Sequence, residues 1–349
     1  MNPEPLRLAP TQFDELRARA AQFIDRGKTA QRHGDADGAI ALYDDALSLM
    51  EDEGDSPMAA DALRWKGWVL SERGDTPAAY RFFNRSLAMA ERLEYVNGQA
   101  HALNCLGTVA QRRGELKNAE RLYTQSAHHA EASADRRLLG MVEMNQGVIA
   151  ASLGDWDVGL GRLRLGLKAF ESVGDKEGTS YAYNNIGLQY AARKRYAQAV
   201  ESFELALAIA YASEDMVVEA TVELNLGDVR IRQGELDSAA RSVARAMKIA
   251  EIRRDRLRMA EALRLKSRIE RLRGHLVIAM ETLRQARYQA REGEDAMLQL
   301  ELLTELGELC REQGDPERTR DVLREALVGF TEIGAVRRAE AIAEELAAL

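Results

Sequence analysis

Residues Leu103 to Ala127 read LNCLGTVAQRRGELKNAERLYTQSA, and this segment shows the repeating unit of the chain most clearly. It places Gly107 inside a helical pattern, then a turn at Gly114, then a second helical pattern that contains Tyr123. Glycine can close a helix in the left-handed conformation that residues with a Cβ atom avoid. A small residue lets two helices approach closely, because a larger side chain would overpack the contact. The stretch therefore predicts a hairpin of two packed helices.

The same layout returns at a constant interval along the chain. The turn position recurs at Gly34, Gly74, Gly114, Gly154, Lys194, Gly234, Gly274 and Gly314. The small residue before it recurs at Gly27, Gly67, Gly107, Gly147, Gly187, Gly227, Ser267 and Gly307. An Asp or Glu follows six of the eight turns and is predicted to cap the next helix or to complement its dipole. A fixed period of about 40 residues indicates stacked hairpins, each burying the apolar face of its neighbour.

The pattern resembles the tetratricopeptide repeat (TPR) family. The family's large apolar, small, turn, alanine and aromatic positions correspond to Leu103, Gly107, Gly114, Ala119 and Tyr123, and in the fifth copy Tyr183, Gly187, Ala199, Phe203 and Ala206 keep the same register. The resemblance covers residues 11 to 349. The usual unit has about 34 residues. The longer unit here is similar to the long-repeat subclass found in cell-polarity adaptors and in bacterial regulators.

The repeats and the resemblance together predict an all-α fold. We expect a right-handed α-α superhelix (a solenoid) of eight TPR-like helical hairpins plus a C-terminal capping helix. Residues 1–10 contain three of the six prolines and are expected to be a disordered tail. Residues 11–335 would form the eight repeats, and residues 336–349 would cap the array by covering the last hairpin.

The composition of the chain limits which partners and which cellular compartment are expected. The formal net charge is −8, so bulk attraction to nucleic acid or to an anionic membrane is not expected. No apolar run is long enough to predict a membrane span. The first residues lack the basic and apolar regions of a secretory signal, and Cys105 and Cys310 lie five repeats apart, where they cannot meet in a stacked array. We therefore expect a cytoplasmic protein.

The sequence contains no pattern that indicates an enzyme. The motifs of zinc proteases, serine hydrolases, nucleotide-binding loops and CxxC sites are absent. Of the five histidines only His128 and His129 are close, and adjacent helix positions point about 100° apart, a poor metal pair. Gly159 and Gly166 in GLGRLRLG occupy small-residue positions of the repeat with no preceding strand, which favours packing over phosphate binding. We expect no catalytic residue, no metal and no cofactor.

The resemblance implies that the first helix of each hairpin lines a concave binding groove. Asn145, Asn185 and Asn225 stand two places before the small residue, and Asn104 and Asn184 stand three places before it. Carboxamides both donate and accept hydrogen bonds. They could bond the main chain of an extended peptide, as the asparagine ladder of long-repeat TPR adaptors does. Alternatively, these asparagines tie neighbouring helices together and never meet a ligand.

Two further groups are candidate peptide-binding residues. Trp65 and Trp68 would form an aromatic anchor; alternatively, Trp65 covers the first hairpin. Arg264, Arg268 and Arg271 form a basic stripe that could clamp an acidic partner segment. The simpler interpretation is that this stripe pairs with the acidic stripe of the next copy, which consists of Glu301, Glu305, Glu308 and Glu312.

These features give two hypotheses about function. The first is a non-enzymatic protein–protein interaction module, or scaffold, that holds an extended or helical partner segment in its groove. The second is a signal-sensing regulator of bacterial type, in which a bound peptide or small molecule changes the superhelical pitch. A purely structural role in a larger assembly is a third hypothesis. Expected partners are proteins or peptides, including a second copy of the chain, and not nucleic acid or membrane.

Overall fold

The computed structural model describes residues 10–293 and 295–349; residues 1–9, where most of the expected tail falls, lie outside the described residues. The described residues form seventeen α-helices, one short 3-10 helix and no strand. The helices are α1 (Pro10–Arg32), α2 (Ala36–Leu49), α3 (Pro57–Glu72), α4 (Thr76–Arg92), α5 (Val96–Arg112), α6 (Leu116–Ala132), α7 (Arg136–Ser152), α8 (Trp156–Ser172), α9 (Lys176–Ala192), α10 (Tyr196–Ala212), α11 (Met216–Gln233), α12 (Leu236–Arg253), α13 (Arg256–Leu272), α14 (Leu276–Glu292), α15 (Ala296–Glu312), α16 (Pro316–Glu332) and α17 (Val336–Ala347). The all-α class is confirmed.

The chain divides into two compact units, Met1–Gly178 and Thr179–Leu349. In the first unit, successive helices pack as hairpins from α1–α2 to α7–α8. In the second unit the same packing runs from α11–α12 to α15–α16, and α17 follows. Ile342 of α17 is buried in one apolar cluster with Phe330 of α16 and Leu303 of α15. We call the odd-numbered helices the first helices and the even-numbered ones the second helices.

The eight predicted turns adopt the left-handed conformation. Their φ angles are positive at every turn position, from 58° at Lys194 to 97° at Gly154. At Asp35, Asp75 and Asp315, the side chain after the turn accepts a bond from a backbone N–H and caps the next helix, as predicted. No such side-chain cap forms at Glu115, Asp155 or Glu235.

The small residue of a first helix faces a large side chain of the second helix in the same hairpin. A Cβ atom on Gly107 would lie 2.6 Å from the Tyr123 ring, and one on Gly187 would lie 2.6 Å from the Phe203 ring. Both rings are fully buried. Glycine is therefore required here by close approach, which the sequence pattern predicts.

Two tyrosines in this buried position differ in hydrogen bonding. Tyr123 Oη donates to Thr108 Oγ1 (3.2 Å) or Gln111 Oε1 (3.0 Å). Tyr43 Oη is buried and has no hydrogen-bond partner among the described residues. Burial raises the pKa of both phenols to about 12.

We expect Tyr43→Phe to raise the free energy of unfolding by about 1 kcal/mol, because it removes a buried, unpartnered hydroxyl. Tyr123→Phe is its matched control and should lower the free energy by about 1 kcal/mol, because it removes bonded contacts. Urea unfolding of both variants measures the difference. Equal effects in the two variants would show that the hydroxyl environments do not differ.

Candidate functional site

The first helices lie side by side within each unit, and polar side chains one place apart in the repeat register of successive copies meet across them. In the first unit Asn145 Nδ2 donates to Asn104 Oδ1 (3.0 Å). In the second unit Asn225 Nδ2 donates to Asn184 Oδ1 (2.8 Å). Asn104 and Asn184 are buried. These four asparagines thus tie neighbouring first helices, which is the alternative that the sequence left open.

Other pairs have the same separation along the chain. Arg264 Nε donates to Glu305 at 2.5 Å in the register of the asparagine pairs. Two helical turns further along, polar pairs recur as Gln31 with Glu72, Ser71 with Arg112, and Arg271 with Glu312. Because two turns separate these positions, both sets lie on the same side of each first helix. We call every such pair a rung.

A rung does not use all the hydrogen-bonding groups of its asparagines. A carboxamide has two N–H donors and a carbonyl oxygen with two acceptor sites, and a rung uses one donor of Asn145 or Asn225. Asn145, Asn185 and Asn225 are partly exposed. The rungs therefore hold Asn145 and Asn225 in one orientation while leaving part of each side chain accessible.

The two tryptophans are only partly exposed. Trp65 packs against the apolar cluster of the α1–α2 hairpin, and the Arg64 guanidinium lies 4.6 Å from its ring centre. Trp68 packs against the next cluster and donates from Nε1 to Glu72 (2.9 Å). Trp65 thus contacts the first hairpin, as in the alternative interpretation, while part of each indole remains on the surface.

The basic stripe of α13 is paired with carboxylates. Arg264 bonds Glu301 (2.9 Å) as well as Glu305, and Arg271 bonds Glu308 and Glu312 (2.6 Å each). Arg268 pairs instead with Asp228 of α11 (2.6 Å). The stripe therefore faces acidic partners on both neighbouring first helices, and its charge is largely neutralised within the second unit.

A cluster around Asp135 was not predicted from the sequence. Asp135 caps α7 through the Leu138 N–H and accepts bonds from Asn97 (2.9 Å) and His101 (3.2 Å) of α5. These bonds, that of His101 foremost, hold the pKa of the Asp135 carboxyl well below its usual range. The feature of the sequence that could have indicated this cluster is the acidic residue that recurs at the links between copies.

We expect this cluster to stabilise the fold fully above about pH 4, the ordinary pKa of aspartate. Because the folded-state pKa is lowered, that stabilisation is lost as the pH falls below this value. Urea unfolding of the parent chain and of Asp135→Asn at pH 6 and pH 3 should show a difference that shrinks at pH 3. A difference independent of pH would contradict the assignment.

A buried carboxylate is the second feature that the sequence did not indicate. Glu223 of α11 is fully buried and pairs with Arg245 of α12, and the Tyr211 hydroxyl donates to it at 3.0 Å. Burial and the neighbouring Glu223 raise the pKa of Tyr211 to about 12. The sequence feature that could have indicated it is the glutamate itself, because Leu103 and Leu263 occupy the same repeat position in other copies. The ion pair joins α11 to α12, and the Tyr211 hydroxyl links α10 to the same carboxylate.

The described residues contain no group of histidine, cysteine, aspartate or glutamate side chains arranged to hold a metal ion. In the same part of the chain, no helix is both long and apolar enough to cross a membrane. Cys105 and Cys310 are buried free thiols.

Two models of the tetratricopeptide repeat match residues 19–92 and residues 180–212. No curated protein matches the sequence of the chain. Many solved structures are similar in fold.

Three of these structures are similar over most of both chains. A Rap protein complexed with competence and sporulation factor shares 14% identity over 96% of this chain and 97% of its own, with a TM-score of 0.59. The Rap conjugation gene regulator of plasmid pLS20, in complex with a Phr peptide, shares 13% over 95% and 98%, with a TM-score of 0.63. The apo quorum sensor NprR from B. thuringiensis shares 12% over 93% and 97%, with a TM-score of 0.58.

At these identities the comparisons show a common fold. The fold agrees with the repeat seen in the sequence, with the small-to-aromatic contacts inside each hairpin, and with the matches to the repeat models. The chain therefore contains tetratricopeptide repeats, matched at residues 19–92 and 180–212, within a fold of packed helical hairpins.

Proposed function

We propose that the chain is a non-enzymatic interaction module that binds an extended or helical segment of a partner protein along its first helices. The observation that carries this proposal is the asparagine rung. Each rung fixes a partly exposed carboxamide, Asn145 in one unit and Asn225 in the other, at the same position of the repeat. Fixed carboxamides lose little freedom on binding and can pair with a peptide main chain.

The other predicted site residues have distinct roles in this proposal. Trp65 and Trp68 would supply apolar contact at the N-terminal end, because part of each indole remains on the surface. Arg264, Arg268 and Arg271 already have acidic partners. An acidic segment would bind them only by replacing those carboxylates, so the number of ion pairs would not rise and the segment would gain little Coulomb energy.

The similar structures support a regulatory version of the same function. Two are named as a conjugation gene regulator and as a quorum sensor, and one of the three was solved with a Phr peptide. We therefore propose as the second candidate a regulator whose shape changes when a peptide binds. Small-angle scattering separates the two candidates, because a regulator should change its radius of gyration on adding peptide and a scaffold should not.

The test uses peptides selected on the purified chain from a random linear library. We expect Asn145→Ala and Asn225→Ala together to weaken binding of the selected peptides at least tenfold. Gln198→Ala is a matched control, because it removes an exposed carboxamide from a second helix. Melting curves of each variant report whether the fold is kept.

A further variant separates contact from positioning. Asn104→Ala breaks the rung but keeps the exposed Asn145 side chain. A smaller loss of affinity in Asn104→Ala than in Asn145→Ala supports direct contact with the peptide. Unchanged affinity in the Asn145 and Asn225 double variant, with the fold intact, would refute the role of the rungs.

A further inference from the structure

The first unit contains a cavity that the rungs do not line. It has a volume of about 510 Å³ and is lined by the second helices α4 and α6 and by the first helix α5. Its volume falls in the range of small-ligand pockets. None of the rung or tryptophan side chains lines it. We call it the α4–α6 pocket.

The floor of the α4–α6 pocket is apolar. It is formed by Leu103, Leu106, Val109, Ala110 and Leu122. All five residues are buried members of the core that joins the hairpins. Because these residues are fixed by core packing, the floor is preformed and fits a hydrocarbon group without rearrangement.

The rim carries two arginines that are held without counter-ions. Arg121 donates to Gln125 Oε1 and to Asn118 Oδ1, both at 3.0 Å and both uncharged. The Arg113 guanidinium lies 4.9 Å from the centre of the Tyr80 ring. Neither arginine forms an ion pair with a described carboxylate, in contrast to the arginines of α13.

Two carboxylates, Glu91 and Glu115, and the His129 imidazole also line the rim. Glu115 accepts a bond from Asn118 Nδ2 (3.0 Å), so the same amide that orients Arg121 also engages the nearby carboxylate. A carboxylate ligand can replace the uncharged acceptors at Arg121 with charged oxygens, and a guanidinium–carboxylate pair is the stronger contact.

We propose that the α4–α6 pocket binds an apolar carboxylate, with its hydrocarbon part on the leucine floor and its carboxylate on Arg113 and Arg121. Two sources have this chemistry: a free acyl carboxylate, and a peptide that ends in a large apolar residue with a free C-terminus. This site is independent of the proposed function, because the rungs lie elsewhere on the repeat.

Calorimetric titration tests the site with four probes: octanoate, octanol, the peptide acetyl-Gly-Leu-Leu with a free carboxylate, and the same peptide amidated. We expect one octanoate or one acid peptide to bind per chain, at least tenfold tighter than its neutral counterpart. Octanoate binding alone identifies the acyl source, and peptide binding alone identifies the peptide source. No binding by either acid, or equal binding of acid and neutral probes, would overturn the proposal.

Variants locate the binding. Arg113→Gln with Arg121→Gln should weaken octanoate binding at least tenfold and leave octanol binding unchanged. Arg81→Gln on α4 is the control, because Arg81 is exposed and does not line the pocket. Both arginines lie on the rim, so the double variant should keep the parent melting temperature. Full affinity in the double variant would place octanoate elsewhere and refute the assignment.

Discussion

Replacing Phe203 by alanine is expected to lower the free energy of unfolding by about 3–5 kcal/mol, the usual effect of removing a fully buried phenylalanine. Phe203 is fully buried, and its ring fills the space that Gly187 leaves open on the facing helix. Urea unfolding followed by circular dichroism measures the loss. Phe82, a partly exposed neighbour of the equivalent ring in the second copy, is the control: Phe82→Ala should cost less.

A double-mutant cycle shows whether the ring and the glycine depend on each other. Gly187→Ser alone should cost about 1–3 kcal/mol, because its Cβ would lie 2.6 Å from the ring. The seventh copy has Ser267 and Leu283 at these two positions, and Ser267 Oγ donates to the Ala279 carbonyl (2.7 Å). Gly187→Ser with Phe203→Leu should therefore be less destabilising than the sum of its single changes, by about 1 kcal/mol. Strict additivity would show that the two positions are uncoupled.

Gly166→Ala is expected to lower the free energy of unfolding by about 1–3 kcal/mol, although alanine favours helices over glycine. A Cβ on Gly166 would lie 2.8 Å from the Gly140 carbonyl oxygen, which is backbone and cannot rotate away. Gly161→Ala, on the same helix, is the matched control. A Cβ at Gly161 meets nothing within 4 Å, so this change should raise stability by about 1 kcal/mol.

Thermal unfolding of the two α8 variants gives the comparison directly. The two variants should change the free energy of unfolding in opposite directions. Helix propensity favours alanine at both positions, but the backbone contact opposes it only at Gly166. A gain of stability in both variants would show that α7 and α8 can separate at little cost.

The hairpins could be predicted from the sequence because their determinants are local. Three residues within one copy specify the hairpin: a glycine at the turn, and a glycine and an aromatic residue with the spacing of Gly107 and Tyr123. The same local pattern predicts that Gly159 and Gly166 occupy packing positions, and their close approach to α7 confirms this prediction.

The links between copies were harder to predict. Four link residues have positive φ angles although none of them is glycine, so the sequence gives no sign of this conformation: Glu94, Ala134, Glu214 and Arg254. The tertiary packing of the helices on either side imposes this conformation, at a cost of about 1–2 kcal/mol per residue.

The pairing of the candidate site residues could not be predicted either. Which side chains face each other depends on how adjacent first helices cross, and no single copy encodes that geometry. The sequence showed that asparagines recur at two positions, but only the structure joins Asn104 to Asn145. The role of these residues in binding a peptide stays a prediction.

The rungs have a consequence for how such a chain can change by recombination. Each rung needs matching residues from two successive copies: amide with amide at Asn104 and Asn145, cation with anion at Arg264 and Glu305. If the third and seventh copies changed places, Arg264 would face Asn145 and Asn104 would face Glu305. The guanidinium and the carboxylate would then each lose a partner of opposite charge. Gene segments of this protein are therefore compatible only with particular neighbours, and shuffled chimaeras that respect the side-chain match should express better than those that do not.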